Sequence, residues 1–501
     1  MELHGHAEAI DIRGLTADSR KVQPGFLFAA LPGTRADGGA FVDDALRRGA
    51  AAILMPPNAR GGVGRSETVV LTDENPRRRY AQLAARFFGE QPETVVAVTG
   101  TNGKTSVVSF ARQIWSWLGI RAASLGTMGL EGAAPGDDVT LTTPDAADLH
   151  RVLAGVAAAD IQHLAMEASS HGLAQHRLDG VVLAAAAFTN LGRDHLDYHP
   201  DVAAYLAAKT RLFADVMVPG GAAVLNADIP EFAALRDLCR ARGHRVISYG
   251  RAGEAIRLED CQGFGDAQRL RLEVFGKGYD VILPLVGGFQ VANALTALGL
   301  VLAVGGPQDA AVRALADLRG VRGRLQMVVR RRNGAPVYVD YAHKPDALET
   351  VLATLRPVTA GRLIVVFGCG GDRDAGKRAI MGEIGARMAD LAVVTDDNPR
   401  TEDPADIRKA IMAACPGGRE IGDRGKAIRF AVAELDAEDV LLIAGKGHET
   451  GQLVGDRCLP FDDAEIAIAA VAEVDGVDRV DRADGVDRAD RVDRADGGTG
   501  T

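Results

Sequence analysis

Residues 95–105 read VVAVTGTNGKT, and this stretch constrains the fold more strongly than any other part of the chain. Val95–Val98 is an apolar run of the kind found in strands buried within parallel sheets. Beyond this stretch the apolar residues recur at helical spacing as far as Leu118, so a helix is predicted to begin near Lys104. A strand, a glycine turn and a helix in this order predict a site for nucleotide phosphates, because backbone N–H groups at a helix N-terminus attract anions.

Two side chains at the start of this helix have the chemistry that nucleotide binding requires. The ammonium of Lys104 is expected to reach the outer phosphates, and the hydroxyl of Thr105 is a ligand that Mg²⁺ accepts. Val98 stands where the full phosphate-loop pattern has its first glycine. An ordinary turn between a strand and a helix therefore remains the alternative interpretation.

The composition restricts the class of protein. The chain has 501 residues, of which 47% are hydrophobic, and this length predicts two or three domains with apolar cores. A formal net charge of −10 argues against nucleic acid as a partner. The five cysteines form no C-x-x-C pair, and neither a signal peptide nor a membrane-spanning run is visible. We therefore expect a cytoplasmic α/β protein with no membrane insertion, ending in a disordered repeat tail at residues 474–501.

Two further strands are predicted to end in polar residues beside the phosphate loop. Residues 163–167 end in Glu167, and residues 181–188 are followed by TNLGRDHLDYH, which contains His195. Polar residues at the carboxyl ends of strands line the ligand crevice of an open parallel sheet. Together with Thr105 these two side chains form a reasonable Mg²⁺ site, in which the imidazole is the less usual ligand. Two structural polar caps are the alternative reading.

Alternating strands and helices restart at about residue 324 and predict a second doubly wound domain. Four apolar runs, at residues 337–340, 363–367, 391–395 and 440–444, each end in a polar turn. An edge of this kind is expected to recognise a charged small molecule.

The motifs jointly resemble those of the Mur ligase family, over everything but the tail. They are the phosphate loop at residues 99–105, EASSH at 167–171, NLGRDH at 190–195, Asn293, the Gly-Arg pair ending at Arg324, and DYAH at 340–343. The turn DNPR at residues 397–400 is typical of the members that add diaminopimelate, and the lysine-adding members lack its arginine.

The resemblance implies an α/β enzyme of three domains. These are an N-terminal UDP-binding domain at residues 1–88, a central ATPase domain of the phosphate-loop type at 89–322, and a Rossmann-like amino-acid-binding domain at 323–473. The central domain is expected to have a parallel-sheet core.

The resemblance also implies four groups of site residues. Those for ATP are Gly100, Thr101, Asn102, Gly103, Lys104, Thr105, Asn293, Arg324 and Asp340. Those for the UDP-N-acetylmuramoyl-dipeptide are Ser19, Thr34, Arg35, Thr142, Thr143, Ser169, Gln175 and Arg177. Those for diaminopimelate are Arg373, Asp397, Asn398, Arg400, Gly445 and Glu449. The implied catalytic residues are Lys104, Lys209, Glu167 and His195, and the implied metal ligands are Thr105, Glu167 and His195.

Lys209 shows how the resemblance changes an interpretation. It lies in an amphipathic helical stretch, where the surrounding sequence alone predicts a solvated lysine. The resemblance instead implies a carbamylated lysine that helps to place Mg²⁺ near the γ-phosphate of ATP.

The implied reaction joins meso-2,6-diaminopimelate to UDP-N-acetylmuramoyl-L-alanyl-D-glutamate, with ATP as co-substrate, Mg²⁺ as cofactor and an acyl phosphate as intermediate. This is a step of peptidoglycan precursor synthesis, and a monomeric enzyme is expected. One alternative is a ligase of the same fold that adds lysine or extends a folate with glutamate, which Arg400 argues against. The other is a nucleotide-binding regulator without catalysis, which the combination of Lys104, Thr105, Glu167 and His195 argues against.

Overall fold

The computed structural model describes residues 2–4, 10–33, 37–59, 68–133, 141–192, 194–195 and 198–476. It divides into two compact units, one ending at Arg319 and the other beginning at Gly320. The first unit contains two sheets, and the second contains one sheet and a short β-ribbon. No helix in the described part of the chain is long and apolar enough to cross a bilayer.

The first sheet of the first unit has five strands. They are β1 (Glu2–His4), β2 (Gly14–Thr16), β3 (Phe26–Ala29), β4 (Ala52–Met55) and β5 (Val69–Thr72). Their order is β1-β5-β4-β3-β2, and only β1 runs antiparallel to its neighbour. The associated helices are α1 (Val42–Arg47) and α2 (Pro76–Phe88). Helix α2 begins where the Asn75 side chain accepts the Arg78 N–H and Pro76 takes the first position, both of which favour a helix start.

The second sheet of the first unit has ten strands. They are β6 (Thr94–Thr99), β7 (Ala122–Gly126), β8 (Gly129–Glu131), β9 (His163–Glu167), β10 (Ala185–Phe188), β11 (Ala222–Asn226), β12 (Arg245–Gly250), β13 (Ile256–Phe264), β14 (Ala267–Val274) and β15 (Lys277–Leu283). Their order is β15-β14-β13-β12-β11-β10-β6-β9-β7-β8. The pairs from β7 to β13 are parallel, and the remaining pairs are antiparallel.

Seven helices of the described residues accompany this sheet. They are α3 (Lys104–Trp117), α4 (Ala146–Ala158), α5 (Ser170–Ala174), α6 (Val202–Arg211), α7 (Phe232–Ala241), α8 (Gly288–Ala303) and α9 (Gln308–Ala314). The register of the central strands pairs Val98 on β6 with Glu167 on β9, and Thr99 on β6 with Phe188 on β10. These three strands therefore end at the same edge of the sheet, at the level where the phosphate loop begins.

The second unit has a six-stranded sheet and a two-stranded ribbon. The sheet contains β16 (Gln326–Arg330), β17 (Pro336–Asp340), β18 (Leu363–Phe367), β19 (Leu391–Val394), β20 (Arg419–Glu420) and β21 (Val440–Ala444), and the ribbon contains β22 (Gly451–Val454) and β23 (Arg457–Pro460). The order is β16-β17-β21-β18-β19-β20, with only β16 antiparallel. Its helices are α10 (Pro345–Leu355), α11 (Lys377–Met388), α12 (Pro404–Met412), α13 (Arg424–Ala433) and α14 (Asp463–Asp475).

The α/β class, with mainly parallel sheets in both units, is confirmed. The strands predicted at residues 163–167, 363–367 and 440–444 have those bounds, but the strand predicted at 181–188 begins only at Ala185. Both backbone groups of Val182 instead bond to the side-chain amide of Gln91. The Val182 N–H donates to Oε1 of Gln91 at 3.0 Å, and the Val182 carbonyl accepts a hydrogen bond from Nε2 of Gln91 at 2.9 Å. Its hydrogen-bonding capacity is therefore used by a side chain and not by a neighbouring strand.

The domain boundaries after residues 88, 322 and 473 stay predictions. Helix α14 continues to Asp475, and Gly476 caps it in the left-handed conformation that glycine adopts without strain. Residues 477–501 of the predicted tail lie outside the described residues.

Candidate active site

The phosphate loop connects β6 to α3 and depends on two glycines with positive φ. Gly100 has φ 141° and Gly103 has φ 88°, conformations that L-residues with a side chain rarely adopt. A Cβ atom on Gly100 would lie 1.9 Å from the Thr189 hydroxyl oxygen, and one on Gly103 would lie 2.2 Å from Oδ1 of Asn293. Asn293, on α8, therefore contacts the loop at the start of α3, and its part in ATP binding stays a prediction.

Two lysines converge on one carbonyl of this loop. Nζ of Lys104 donates to the carbonyl oxygens of Gly100 and Thr101 at 3.0 and 2.9 Å, and Nζ of Lys209 donates to the Gly100 carbonyl at 2.8 Å. Lys209 is 1% exposed, and its ammonium lies 4.2 Å from the ring centroid of Tyr205. The sequence-based expectation of a solvated lysine is wrong, because α6 turns this side chain toward the loop.

The loop after β10 fixes the backbone of the phosphate loop. The Thr101 N–H donates to the backbone carbonyl of Asn190 at 2.8 Å, and the Asn102 N–H donates to Oδ1 of Asn190 at 3.0 Å. The Thr189 hydroxyl donates to the Asn102 carbonyl at 2.7 Å. Neither Thr189 nor Asn190 is among the predicted site residues, although their position directly after a strand beside the phosphate loop is a signal that points to them.

Glu167 is buried at the end of β9, and its carboxylate is held by donors from the neighbouring strand end. Oε1 accepts the Thr127 N–H at 2.8 Å, and Oε2 accepts the Thr127 hydroxyl at 3.3 Å. The Glu167 carbonyl accepts the Thr143 hydroxyl at 2.9 Å. Thr127 is a residue that the sequence analysis did not select, because its segment has no motif of its own.

His195 lies in a group of aromatic rings with His171 and Tyr205. Its ring is 4.7 Å from that of His171 and 6.1 Å from that of Tyr205, measured between centroids. Nε2 of His195 lies 3.4 Å from Oδ2 of Asp194. His171 follows Glu167 by four residues, so the structure brings the segments carrying the two predicted metal ligands together.

The residues predicted to bind Mg²⁺ have a donor set that suits this ion. Thr105 supplies a hydroxyl at the second position of α3, Glu167 supplies a buried carboxylate at the same sheet edge, and His195 supplies an imidazole. Oxygen donors are what Mg²⁺ prefers, and it binds through a few protein groups while keeping waters and phosphates as its other ligands. In the described residues no group of three or more His, Cys, Asp or Glu side chains could hold a metal ion, and the Mg²⁺ site stays a prediction.

The residues predicted to hold the muramoyl-dipeptide form a connected group around α5. Arg177 donates from Nη1 to the Thr143 carbonyl at 2.6 Å and from Nη2 to Oε1 of Gln175 at 2.7 Å. The Ser169 N–H donates to the Thr143 hydroxyl at 3.0 Å, and the Thr142 and Thr127 hydroxyls lie 3.1 Å apart. Burial lowers the pKa of Arg177 from its usual value, and an arginine remains a cation under such a shift.

The first sheet supplies the remaining members of that predicted group. Ser19 is buried at the start of a short 3-10 helix, Ser19–Lys21, after Asp18, whose side chain accepts the Arg20 N–H. Thr34 and Arg35 lie outside the described residues.

In the second unit, Asp340 ends β17 and is buried. Its carboxylate accepts the Leu325 N–H at 2.6 Å and the Ala342 N–H at 2.7 Å. Burial raises the pKa of Asp340 from 3.8 to about 6, and nearby Arg324 opposes the rise. The Arg324 guanidinium stacks on the Tyr341 ring at 4.4 Å, so Arg324 and Asp340 lie in one cluster at this strand end.

The residues predicted to bind the amino acid meet around the turn at residues 397–400. Asn398 donates from Nδ2 to Oε2 of Glu449 at 2.9 Å and accepts Nζ of Lys446 on Oδ1 at 3.0 Å. Nζ of the fully buried Lys446 also donates to Oε2 of Glu449 at 3.0 Å, which closes a triangle. The sequence analysis did not select Lys446, although it stands between the predicted Gly445 and Glu449.

The turn at residues 397–400 also carries Asp397 and Arg400, whose side chains differ in their surroundings. Oδ2 of Asp397 is buried, with no hydrogen-bond partner among the described residues, and a Cβ on Gly445 would lie 2.6 Å from it. The Arg400 guanidinium is half-buried and donates to the Gly371 carbonyl at 2.9 Å. Arg373, the last predicted member, is exposed in the loop after β18.

Comparisons with known proteins agree along the chain. Family models match at residues 11–88 (Mur ligase family, catalytic domain), 98–301 (Mur ligase middle domain) and 323–447 (Mur ligase, glutamate ligase domain). The UDP-N-acetylmuramoyl-L-alanyl-D-glutamate–2,6-diaminopimelate ligase of Brucella melitensis biotype 1 is 53% identical over 93% of this chain and 95% of its own length. The ligase of the same name from Agrobacterium fabrum is 52% identical over 91% of this chain and 92% of its own.

A solved structure of a ligase with this name has a TM-score of 0.68 and 32% identity, and the match covers 92% of this chain and 95% of that one. Sequence motifs, fold and full-length relatives therefore agree, and the chain belongs to the Mur ligase family.

Proposed function

We propose that this chain is an ATP-dependent ligase that joins meso-2,6-diaminopimelate to UDP-N-acetylmuramoyl-L-alanyl-D-glutamate in peptidoglycan precursor synthesis. The observation that carries the proposal is the turn at residues 397–400, where Asp397 has a buried carboxylate oxygen without a partner in the described residues and Arg400, three residues further on, carries a half-buried guanidinium. An amino acid with an extra carboxylate offers an ammonium to the first and a carboxylate to the second. The relatives of the same length bear the name of this activity.

The first step needs a phosphoryl group moved from ATP to the terminal D-glutamyl carboxylate. Lys104 at the start of α3 binds and neutralises the outer phosphates, and the N–H groups of the loop add fixed dipoles. Gly100 and Gly103 allow the backbone to approach the phosphates, and Asn190 holds that backbone in place. Asn293, Arg324 and Asp340 bind the adenine and ribose in this proposal.

Mg²⁺ would be held by Thr105, Glu167 and His195, and when bound it neutralises charge on the phosphates. Thr127 keeps the Glu167 carboxylate oriented. Lys209 is carbamylated in this proposal: its neutral amine adds to CO₂, a C–N bond forms and a proton leaves. The product is an anionic oxygen ligand where an ammonium stood.

The second step is attack by a neutral amine of diaminopimelate on the acyl phosphate: the C–N bond forms, the C–O bond to phosphate breaks, phosphate leaves and the amine nitrogen gives up a proton. Asp397 and Glu449 orient the ammonium end, and Arg400 and Arg373 the carboxylates. Thr142, Thr143, Ser169, Gln175 and Arg177 hold the dipeptide so that its carboxylate stays in place between the two steps, and Ser19, Thr34 and Arg35 hold the uridine diphosphate. Positioning of this kind accounts for most of the catalysis expected of such a site.

The substrates are soluble small molecules and ATP is an intracellular compound, so we place the enzyme in the cytoplasm. We also propose that it acts as a monomer.

The test is phosphate release by the purified chain with ATP and the UDP-muramoyl-dipeptide, offering diaminopimelate, lysine or glutamate in turn. We expect release, and a tripeptide product by mass spectrometry, with diaminopimelate. Turnover with lysine or glutamate but not with diaminopimelate would overturn the substrate assignment. No turnover with any of the three amino acids would overturn the proposed activity.

A further inference from the structure

The ribbon formed by β22 and β23 contacts the turn at residues 397–400. The two strands pair antiparallel from Gly451 with Pro460 to Val454 with Arg457. Leu453 and Leu459 on the ribbon are 37% and 46% exposed, so burial of these two apolar side chains explains only part of its position. The hydrogen bonds between the ribbon and the turn therefore also matter for where the ribbon lies.

Arg400 has a backbone that the ribbon stabilises. Its φ is 54°, in the left-handed region that non-glycine residues seldom adopt. Its N–H donates to the Leu453 carbonyl at 3.0 Å, and its carbonyl accepts the Gly455 N–H at 2.6 Å. Both backbone groups of Arg400 are thus bonded to the ribbon, and the direction in which its side chain leaves the turn depends on them.

Gln452 adds a side-chain bond at the other end of the turn. Its Nε2 donates to the Asp397 carbonyl at 2.7 Å. The next residue, Leu453, donates its N–H to Oδ1 of Asn398 at 2.9 Å, the oxygen that also accepts Lys446. Bonds from consecutive ribbon residues therefore reach Asp397, Asn398 and Arg400, three of the residues assigned to the amino acid.

We propose that Gln452 is a positioning residue that fixes the turn at residues 397–400 and thereby sets which amino acid the ligase accepts. The inference rests on the proposed function. Gln452 acts through the Asp397 backbone, and its amide keeps the Asp397 carboxylate and the Arg400 guanidinium at the spacing that one amino acid requires. Loss of the amide donor frees the turn to relax at its strained residue, which weakens amino-acid binding and leaves the phosphate loop of the first unit unaltered.

The experiment compares the full-length wild type with Gln452→Met, which keeps side-chain length but removes the donor, and with Gln452→Glu, which points an oxygen at the Asp397 carbonyl. The matched control is Asp456→Asn, at the exposed tip of the same ribbon. We expect KM for diaminopimelate to rise about fivefold to tenfold in Gln452→Met and further in Gln452→Glu, as for the loss of one part-buried neutral hydrogen bond. The kcat, the KM values for ATP and the UDP-muramoyl-dipeptide, and the Tm should stay near those of wild type, and the preference over lysine should fall.

The outcomes separate the inference from the function beneath it. A wild type that does not use diaminopimelate overturns both. If the wild type uses diaminopimelate and both Gln452 variants have the wild-type KM for it, the inference alone is overturned. An equal change in the KM values for diaminopimelate, ATP and the UDP-muramoyl-dipeptide, together with a fall in Tm, also overturns the inference alone. If Gln452→Met does not fold, Gly455→Ala tests the same ribbon, because its φ of 58° strains any side chain while nothing lies within 4 Å of the added Cβ. An unchanged KM for diaminopimelate in that variant would count against the inference.

Discussion

Lys104 and Lys209 donate to one and the same acceptor, the carbonyl oxygen of Gly100, over 3.0 and 2.8 Å. Two ammonium groups this close repel each other, and the arrival of an anion or the loss of one positive charge relieves the repulsion. Under the proposed function, phosphates would supply the first form of relief, and carbamylation of Lys209 would supply the second. The geometry therefore makes nucleotide binding and the charge of Lys209 depend on each other.

Lys209→Ala should lower kcat by about a hundredfold or more, because an electrostatic group of the phosphoryl-transfer site is lost. Binding of the UDP-muramoyl-dipeptide, measured by calorimetry, should persist. Short carboxylates added in solution should restore part of the rate by replacing the anionic ligand. The control is Lys409→Ala, an exposed lysine of the second unit. A Lys209→Ala enzyme with a normal rate would contradict the assigned role.

Gly103→Ala should raise KM for ATP by at least about tenfold, because its Cβ meets Oδ1 of Asn293 at 2.2 Å and displaces the residue that contacts the loop. The matched variant is Gly119→Ala, just beyond the other end of α3, which has a similar φ of 77° but no atom within 4 Å of the added Cβ. Each substitution costs about 1 kcal/mol of stability through backbone strain. Steady-state kinetics should separate them, and equal KM values would show that the Asn293 contact is irrelevant to ATP.

Arg400→Ala should reduce kcat/KM for diaminopimelate sharply and change that for lysine little. Removing one partner of a charge-assisted pair costs roughly 2–5 kcal/mol, or about 30-fold to several thousandfold in rate. Lysine lacks the second carboxylate, so it has no such pair to lose. The assay runs both amino acids at saturating ATP, with exposed Arg457→Ala as the control. An equal fall for both amino acids would mean that Arg400 supports the fold and does not read the substrate.

The stability of the second unit should depend on pH through Asp340. Burial raises the pKa of this carboxyl to about 6 from 3.8, so between these values the folded chain keeps a proton that the unfolded chain has released. The stabilising contribution is therefore present at pH below about 4 and is lost as the pH rises through about 6. The loss is on the order of 3 kcal/mol.

The check is urea unfolding of wild type and Asp340→Asn from about pH 4 to about pH 7. The variant has no proton to lose, so its free energy of unfolding should rise relative to that of wild type as the pH increases over this range. Above the range, the two free energies should change with pH in parallel. The amide cannot accept both the Leu325 and Ala342 N–H groups, but that loss is the same at every pH and does not alter the slope. Parallel curves throughout would mean that Asp340 is ionised in the folded chain already at low pH.

Sequence patterns predicted the parts of the site that lie close together along the chain. The strand, loop and helix around Lys104 follow from apolar spacing and two glycines, since local geometry dictates them. The burial of Lys209 did not follow, because Gly100 stands 109 residues away and only the folding of α6 onto the loop joins them. The same holds for Thr127, the donor to Glu167, and for Gln452, the donor to Asp397, which lie 40 and 55 residues from their acceptors.

The pairing of Val98 with Glu167 has a consequence for how this chain can change over generations. Adjacent side chains on a strand face opposite ways, so a slip of one residue between β6 and β9 turns the Glu167 carboxylate to the other side of the sheet. A single-codon deletion within β9 would therefore remove the carboxylate from the phosphate loop while the sheet keeps its apolar composition. We expect substitutions that preserve size to be tolerated along these strands, whereas the chemistry at their ends fixes the number of residues in them.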